Sequence, residues 1–91
     1  MNSISKLCTW YANQSPDDWQ EVRIVTIDNP GWSLKVDLEG TALSPKPFAE
    51  TRRDSSDTDW LVARKNGNVF EAFGGPLNLD EMIGVFVTWA S

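Results

Sequence analysis

The chain has 91 residues, of which 41% are apolar, 13 are acidic and 8 are basic, giving a net charge of −5 with no histidine. This length fits one domain, and the apolar fraction excludes global disorder. The apolar runs are far shorter than the ~20 residues of a membrane span, and the N-terminus lacks the basic-then-apolar pattern of a signal peptide. We therefore expect a single cytoplasmic domain, residues 1–91. Its charge favours basic partners over nucleic acid or anionic membranes, although acidity also serves solubility alone.

An amphipathic helix is predicted near the N-terminus, with Asn2 or Ser3 as its N-cap. Its apolar face, spaced i, i+3, i+4 and i+7, consists of Ile4, Leu7, Cys8 and Tyr11. Cys8 is the only cysteine, so no internal disulfide is possible. Its place on the apolar face predicts a small buried side chain rather than a reactive thiol.

Strands are predicted in the middle of the chain. Residues 22–27 are rich in β-branched side chains, and residues 32–38 alternate between apolar and polar, which is typical of a strand with one buried face. Pro30-Gly31 between them suits the centre of a type II turn. A more polar strand over Phe48–Arg53 is predicted at an edge of the sheet, where its arginines would discourage pairing with another chain.

A second hairpin is predicted around Asn66-Gly67, the preferred pair for a type I′ turn. A two-residue loop there places four residues on one face, with Leu61 opposite Ala72 and Ala63 opposite Phe70. The two alanines would let a helix approach closely, so we assign the helices to this face. The opposite face then carries Trp60 and Phe73, and the reverse placement, which would bury these aromatics, is the alternative.

The C-terminal segment predicts a second helix, with Asn78 as N-cap and Glu81 completing a capping box. Leu77 and Met82 occupy the two positions of a hydrophobic staple. The apolar stripe at helical spacing is Leu79, Met82, Ile83, Phe86, Val87 and Ala90. The element order predicts an α+β fold, in which an antiparallel five-stranded sheet is flanked by an N-terminal and a C-terminal helix packed on one face.

Catalytic motifs are scarce in this sequence. Without histidine, the commonest general base and metal ligand is missing, and Cys8 has no imidazole to activate it. The acids Asp54, Asp57 and Asp59 resemble the start of a calcium loop but lack its later glycine and glutamate. We therefore predict a binding protein with no enzymatic activity, no cofactor and no metal site. A carboxylate-based hydrolase is the weaker alternative.

Tryptophans and nearby acids are the candidate contacts with a partner. Aromatic side chains anchor interfaces, but they also dominate small cores. Trp19 and Trp60 each follow acidic residues, so we select them from the five tryptophans. The predicted partner-binding residues are Trp60, Asp54, Asp57, Asp59, Asp37, Glu39 and Trp19. For each acid, an ordinary solvated surface is the alternative interpretation.

A series of short motifs resembles one known family. In chain order they are Trp10-Tyr11, Trp19, Ile27-Asp28-Asn29-Pro30-Gly31-Trp32, Asp37-Leu38, Asp59-Trp60, Gly74-Gly75-Pro76-Leu77 and the terminal Phe86 to Trp89. With them the chain resembles the immunity protein 53 family of bacterial polymorphic toxin systems, from about Leu7 to Trp89. The block from Ile27 to Trp32 is the most specific element, and its turn-forming residues suggest an architectural role. The segment after Trp19 looks shorter than in the family and lacks its histidine.

The resemblance implies a cytoplasmic antidote that binds and neutralises a cognate toxin by blocking its active site. Many toxins of such systems attack nucleic acids and carry basic clefts, to which an acidic protein would be steered. We expect a monomer rather than a homodimer. The alternative function is a small-ligand or carbohydrate-binding module that uses exposed tryptophan with Asp or Asn.

Overall fold

The computed structural model describes residues 2–14 and 20–91, and in them the predicted order of elements is confirmed. The elements are α1 (Ser3–Ala12), β1 (Val22–Ile27), β2 (Gly31–Asp37), β3 (Thr51–Ser56), β4 (Asp59–Asn66), β5 (Val69–Gly74) and α2 (Leu79–Ala90). The fold is therefore α+β, with five antiparallel strands in one sheet and a helix near each terminus. Neither described helix is long and apolar enough to cross a membrane.

The strands lie in the order β1-β2-β5-β4-β3, and every neighbouring pair is antiparallel. Because direction alternates across the sheet, β1, β3 and β5 all finish at the same end. The β1–β2 turn, the β3–β4 turn and the connection from β5 to α2 therefore meet there. The opposite end holds the β4–β5 turn and the long connection from β2 to β3.

The helices cover the sheet face that the hairpin pattern predicts. Its buried side chains are Leu34, Val36, Leu61, Ala63, Phe70 and Ala72. From α2, Met82, Ile83 and Phe86 are buried against them, and the Phe70 and Phe86 ring centroids lie 5.0 Å apart. Burying one valine, leucine, isoleucine, phenylalanine or methionine side chain stabilises a fold by roughly 1.5–3 kcal/mol. The layer between the sheet and α2 contains several of them and is therefore the main source of stability.

The first helix forms where predicted and is capped by Asn2, whose side chain accepts a hydrogen bond of 2.8 Å from the Ser5 N–H. It packs on α2 through Leu7 and Trp10. The indole of Trp10 meets the Phe86 ring edge-on, with centroids 5.0 Å apart. α1 therefore forms its main contact with α2.

The prediction that Cys8 is buried was wrong, because its side chain is exposed. Ile4 and Tyr11, on the same predicted face, are also exposed. The periodicity correctly indicates a helix, but α1 turns its Leu7–Trp10 side toward α2. The Ile4, Cys8 and Tyr11 stripe consequently lies beside the contact rather than in it.

The β4–β5 hairpin differs from the prediction by one residue in its turn. Asn66 pairs with Val69, so the loop is Gly67-Asn68, and Gly67 has φ +61°. A glycine with positive φ at the first loop position is typical of a type II′ turn rather than type I′. The Asn68 carbonyl is held from outside the hairpin by the Leu38 N–H at 2.8 Å. Cross-strand partners shift by two residues, so every side chain keeps its predicted face.

The type II turn predicted at Pro30-Gly31 was also wrong. Gly31 belongs to β2 and lacks positive φ, and the Asn29–Pro30 peptide bond is cis. Gly31 is needed for space instead. A Cβ atom there would lie 2.3 Å from the backbone oxygen of Gly74 on β5. The glycine thus permits close approach of two strands.

The edge strand predicted over Phe48–Arg53 begins later, at Thr51, and continues to Ser56. Phe48 turns into the core instead. Its ring packs edge-on against Phe70 and Trp89, with centroid distances of 5.4 and 5.3 Å. Phe48 therefore packs against these two rings and lies outside the strand.

Candidate partner-binding surface

One end of the sheet concentrates acidic side chains, because three connections meet there. We call it the acidic end. Its carboxylates are those of Asp28, Asp54, Asp57, Asp59, Asp80 and Glu81, and its only arginines in the described chain are Arg52 and Arg53. Asp28 comes from the β1–β2 turn, and Asp80 and Glu81 come from the first turn of α2. The antiparallel topology thus gathers acids that are far apart in the sequence.

Trp60 lies at the acidic end on the sheet face that the helices leave open. Its side chain is half-buried, and Asp54 is its partner across the β3–β4 ladder. The backbone of Trp60 is held firmly, since its N–H donates to Asn78 Oδ1 at 3.3 Å and its carbonyl accepts from the Gly75 N–H at 3.1 Å. The indole therefore projects from a fixed position.

An open depression of about 540 Å³ lies around Trp60. Asn29 and Pro30 of the β1–β2 turn border it on one side, and Arg52 and Asp54 of β3 border it on the other. Asp57 in the β3–β4 turn reaches the same depression. Two arginines also line the depression, but Arg52 pairs with Glu50 and Arg53 pairs with Asp59 and Glu81. The Trp60 ring beside the two carboxylates that have no such partner is therefore suited to a cationic or polar protuberance of a partner.

Arg53 binds two of the six carboxylates and offsets part of their charge. Its guanidinium makes a two-pronged contact with Glu81, including a bond of 2.8 Å from Nη2 to Oε1, and the same Nη2 donates to Asp59. Asn78 completes the group by donating from Nδ2 to Asp59 at 3.0 Å and to Glu81 at 3.2 Å. These four side chains tie β3 and β4 to the start of α2.

The same contacts shift the acid–base equilibria. Hydrogen bonds from Arg53 hold the pKa of Glu81 below its usual value, and those from Asn78 and then Arg53 lower the pKa of Asp59. Bonds to Glu81 and then Asp59 raise the pKa of Arg53 still further. Asp59, predicted as a partner contact, is thus an ionised carboxylate that already forms hydrogen bonds with Arg53 and Asn78 of the same chain.

The interactions of Asn78 differ from the predicted capping box. It occupies the N-cap position of α2, but its side chain makes no capping bond. Its oxygen is instead used by the Trp60 N–H, and its amide binds the carboxylates. The predicted staple was wrong too, because Met82 is buried whereas Leu77 is 83% exposed. Leu77 was not predicted as exposed, and it projects into solvent at the acidic end.

Asp28, Asp54, Asp57 and Asp80 are exposed, and none of them forms an ion pair with another described residue. Asp28 and Asp80 were not among the predicted contacts, unlike Asp54 and Asp57. The signal that could have grouped these four acids is topological, since the turns after β1, β3 and β5 must share one end of an antiparallel sheet. These four acids carry most of the uncompensated charge of this end.

Two predicted contacts, Asp37 and Glu39, lie at the opposite end of the sheet. Asp37 closes β2, and its Oδ1 accepts the Glu39 N–H at 3.0 Å. Glu39 follows the strand, with its backbone oxygen accepting from the Gln20 amide at 3.2 Å. The structure does not bring them together with Trp60. The remaining predicted contact, Trp19, lies outside the described residues.

The other described tryptophans serve the fold. Trp10, Trp32 and Trp89 all pack against the core cluster. The indole N–H groups of Trp32 and Trp89 donate to the carbonyls of Pro76 and Pro47, at 3.0 and 2.9 Å. Trp60 is therefore the described tryptophan that stands apart from the core.

The acids show no metal-binding arrangement, since no group of three or more acidic or cysteine side chains in residues 2–14 and 20–91 could hold an ion. No curated protein and no solved structure matches the chain. A family model, described as Immunity protein 53, matches residues 4–91, which is nearly the whole chain. The chain therefore belongs to the immunity protein 53 family.

Proposed function

We propose that this immunity protein is a cytoplasmic antidote, which binds a cognate toxin protein and neutralises it by covering the toxin's active site. The observation that carries this proposal is the acidic end, where Trp60 stands in a depression beside exposed carboxylates that have no ion-pair partner among the described residues. The chain supplies binding alone in this account and performs no chemistry.

Charge indicates the class of toxin. The chain carries a net charge of −5, and four exposed carboxylates lie at one end of the sheet. Such a surface attracts a basic cleft and accelerates encounter with it. A nuclease, whose cleft is basic because it binds phosphates, is the partner that this surface favours. The same charge repels nucleic acid and anionic membranes, and we propose that the chain acts as a monomer.

Within this surface the roles differ. Trp60 is the proposed anchor, because an aromatic side chain in a concavity can lose water on both sides when a partner closes over it. Asp54 and Asp57 are the proposed charge contacts. Asp59 supports them indirectly, since its bonds to Arg53 and Asn78 fix the start of β4 and hence Trp60.

Calorimetric titration of the toxin domain encoded beside this chain's gene tests the assignment. Trp60→Ala should weaken binding by about 30-fold or more, the effect of a hot spot of about 2 kcal/mol. The double variant Asp54→Asn/Asp57→Asn should weaken binding, most strongly at low salt.

A matched control is available at the other end of the sheet. Asp37→Asn/Glu39→Gln also removes two negative charges, but at the opposite end of the sheet. We expect this variant to bind the toxin with an affinity within about threefold of wild type. If the control pair weakens binding more than the Asp54/Asp57 pair, the toxin binds the opposite end and our choice of surface is wrong. If no toxin domain binds at all, the antidote function is refuted.

A further inference from the structure

The two edges of the sheet are built differently. β3, at one edge, carries Arg52, Arg53 and Asp54, and its register breaks between Asp54 and Ser56. Charges and irregular pairing are the usual protection of an edge against strand addition. β1, at the other edge of the described sheet, has the sequence Val-Arg-Ile-Val-Thr-Ile with an unbroken register against β2. Among the described residues, β1 has one charged side chain, Arg23, and no register break, so it has less of this protection than β3.

The outward peptide groups of β1 follow from one hydrogen bond. The Asp37 N–H donates to the Glu21 carbonyl at 2.9 Å, so Glu21 faces β2. Because antiparallel pairing alternates, the peptide groups of residues 23, 25 and 27 also face β2. Those of Val22, Ile24 and Thr26 therefore point away from the sheet, in the direction from which another strand would bind.

Apolar side chains flank this row on both faces. Ile24 lies on the helix face opposite Leu34 and is 39% exposed, while Val25 lies on the open face opposite Ser33 and is 46% exposed. Next to Val22, an open groove of about 490 Å³ separates β1 from α1. It is lined by Leu7, Cys8, Tyr11, Gln20, Glu21 and Val22. Successive side chains of an added strand point to opposite faces of the sheet. Apolar side chains on one face of that strand could enter this groove, and those on the other face could cover Val25.

Charge identifies the occupant. Acids border both ends of the strand, Glu21 before it and Asp28 after it, and the one charge within it, Arg23, already pairs with Glu21 at 3.9 Å. A second copy would bring an edge that also carries Glu21 and Asp28 against the single cation Arg23, from a chain with the same net charge of −5. Because surfaces of like charge repel, the edge disfavours self-association. A strand with an apolar centre and basic ends is complementary.

We propose that β1 binds an extended segment of the toxin as a sixth strand, β-branched in its centre and basic at its ends. This inference rests on the proposed function and adds its binding mode. It is also compatible with the acidic end, because the β1–β2 turn that ends β1 borders the depression around Trp60. One partner can therefore contact both surfaces.

Amide hydrogen exchange of the free chain and of its complex with the toxin domain tests the strand addition. The amides of Val22, Ile24 and Thr26 should exchange about tenfold or more slowly in the complex, because each gains an acceptor. Those of Arg23 and Val25, already bonded to β2, provide the internal control. A complex that leaves the three outward amides unprotected overturns this inference while leaving the antidote function intact. Absence of any complex overturns both.

A pair of variants separates the backbone contact from the side chain. Ile24→Pro removes an outward N–H that the sheet does not use, a position where an edge strand tolerates proline. It should weaken binding at least about tenfold more than Ile24→Ala, which keeps the N–H. Thermal melting checks that both variants fold. Equal losses in the two variants, or a wild-type dimer that Ile24→Pro converts to a monomer, would overturn the proposed occupant.

Discussion

Substitution of Gly31 tests whether the most specific motif of the sequence, the block from Ile27 to Trp32, has an architectural role. A Cβ atom at this position would lie 2.3 Å from the backbone oxygen of Gly74, against about 3.4 Å for an ordinary contact. The obstacle is backbone in a neighbouring strand, so it cannot rotate away. Gly31→Ala should therefore force β2 and β5 apart, at the cost of about 1–3 kcal/mol that is typical of overpacking. For a domain of this size, the melting temperature should fall by roughly 5–20 °C.

The assay is urea and thermal denaturation followed by tryptophan fluorescence, with Gly84→Ala in α2 as the control. The Cβ added at Gly84 would meet only Ser3 Oγ at 3.3 Å, and helix propensity favours alanine by about 1 kcal/mol. This variant should be as stable as wild type or more so. If Gly31→Ala is as stable as wild type but binds the toxin weakly, the motif is a contact surface and our architectural interpretation is wrong.

Two further predictions concern the acidic end and α1. The pKa values of Asp59 and Glu81 are lowered in the folded state, so their contribution to stability is complete above their ordinary values of 3.8 and 4.5 and is lost as pH falls through the lowered ones. Urea unfolding at several pH values should show that Arg53→Met destabilises the protein at pH 6 and less at pH 3. An equal effect at both would contradict this. Cys8 is exposed, so a thiol reagent should label it completely without denaturant, and slow labelling that requires unfolding would contradict the structure.

Much of the fold could be predicted from periodicity. The spacing of apolar residues identifies an element and its buried face even when a turn or a boundary is misplaced by a residue or two. The alternation through residues 32–38 and the stripe of α2 each identify an element and the face that it buries. The hairpin prediction misplaced its loop by one residue. A register shift of two nevertheless preserves the face of every side chain, so the helices were assigned to the correct side.

Other features depend on neighbours that a local pattern does not contain. The apolar stripe of α1 could not reveal that Leu7 and Trp10 would face α2 and leave Cys8 exposed. Gly31 suggests a turn when read with Pro30, whereas its reason is the oxygen of Gly74 on a strand 43 residues later in the sequence. Short-range rules are satisfied by several structures, and packing between distant elements selects among them.

The candidate surface was predictable in part. Trp60, Asp54 and Asp57 were selected from the sequence, and the structure places them around one depression. Asp37 and Glu39 were selected on the same grounds of charge, but they lie at the C-terminal end of β2, which runs in the opposite direction to β3. Composition cannot tell the two ends of a sheet apart, whereas strand direction can. Whether any of these residues binds a partner stays a prediction.

We propose that the chain neutralises a toxin by binding it. The most direct measurement is co-expression of this chain with the toxin domain encoded beside its gene, scoring bacterial growth and recovery of a complex through a tag on the toxin. We predict restored growth and a complex with one copy of each chain, both reduced by Trp60→Ala. Continued killing with no recovered complex, although both proteins are expressed and folded, would contradict it.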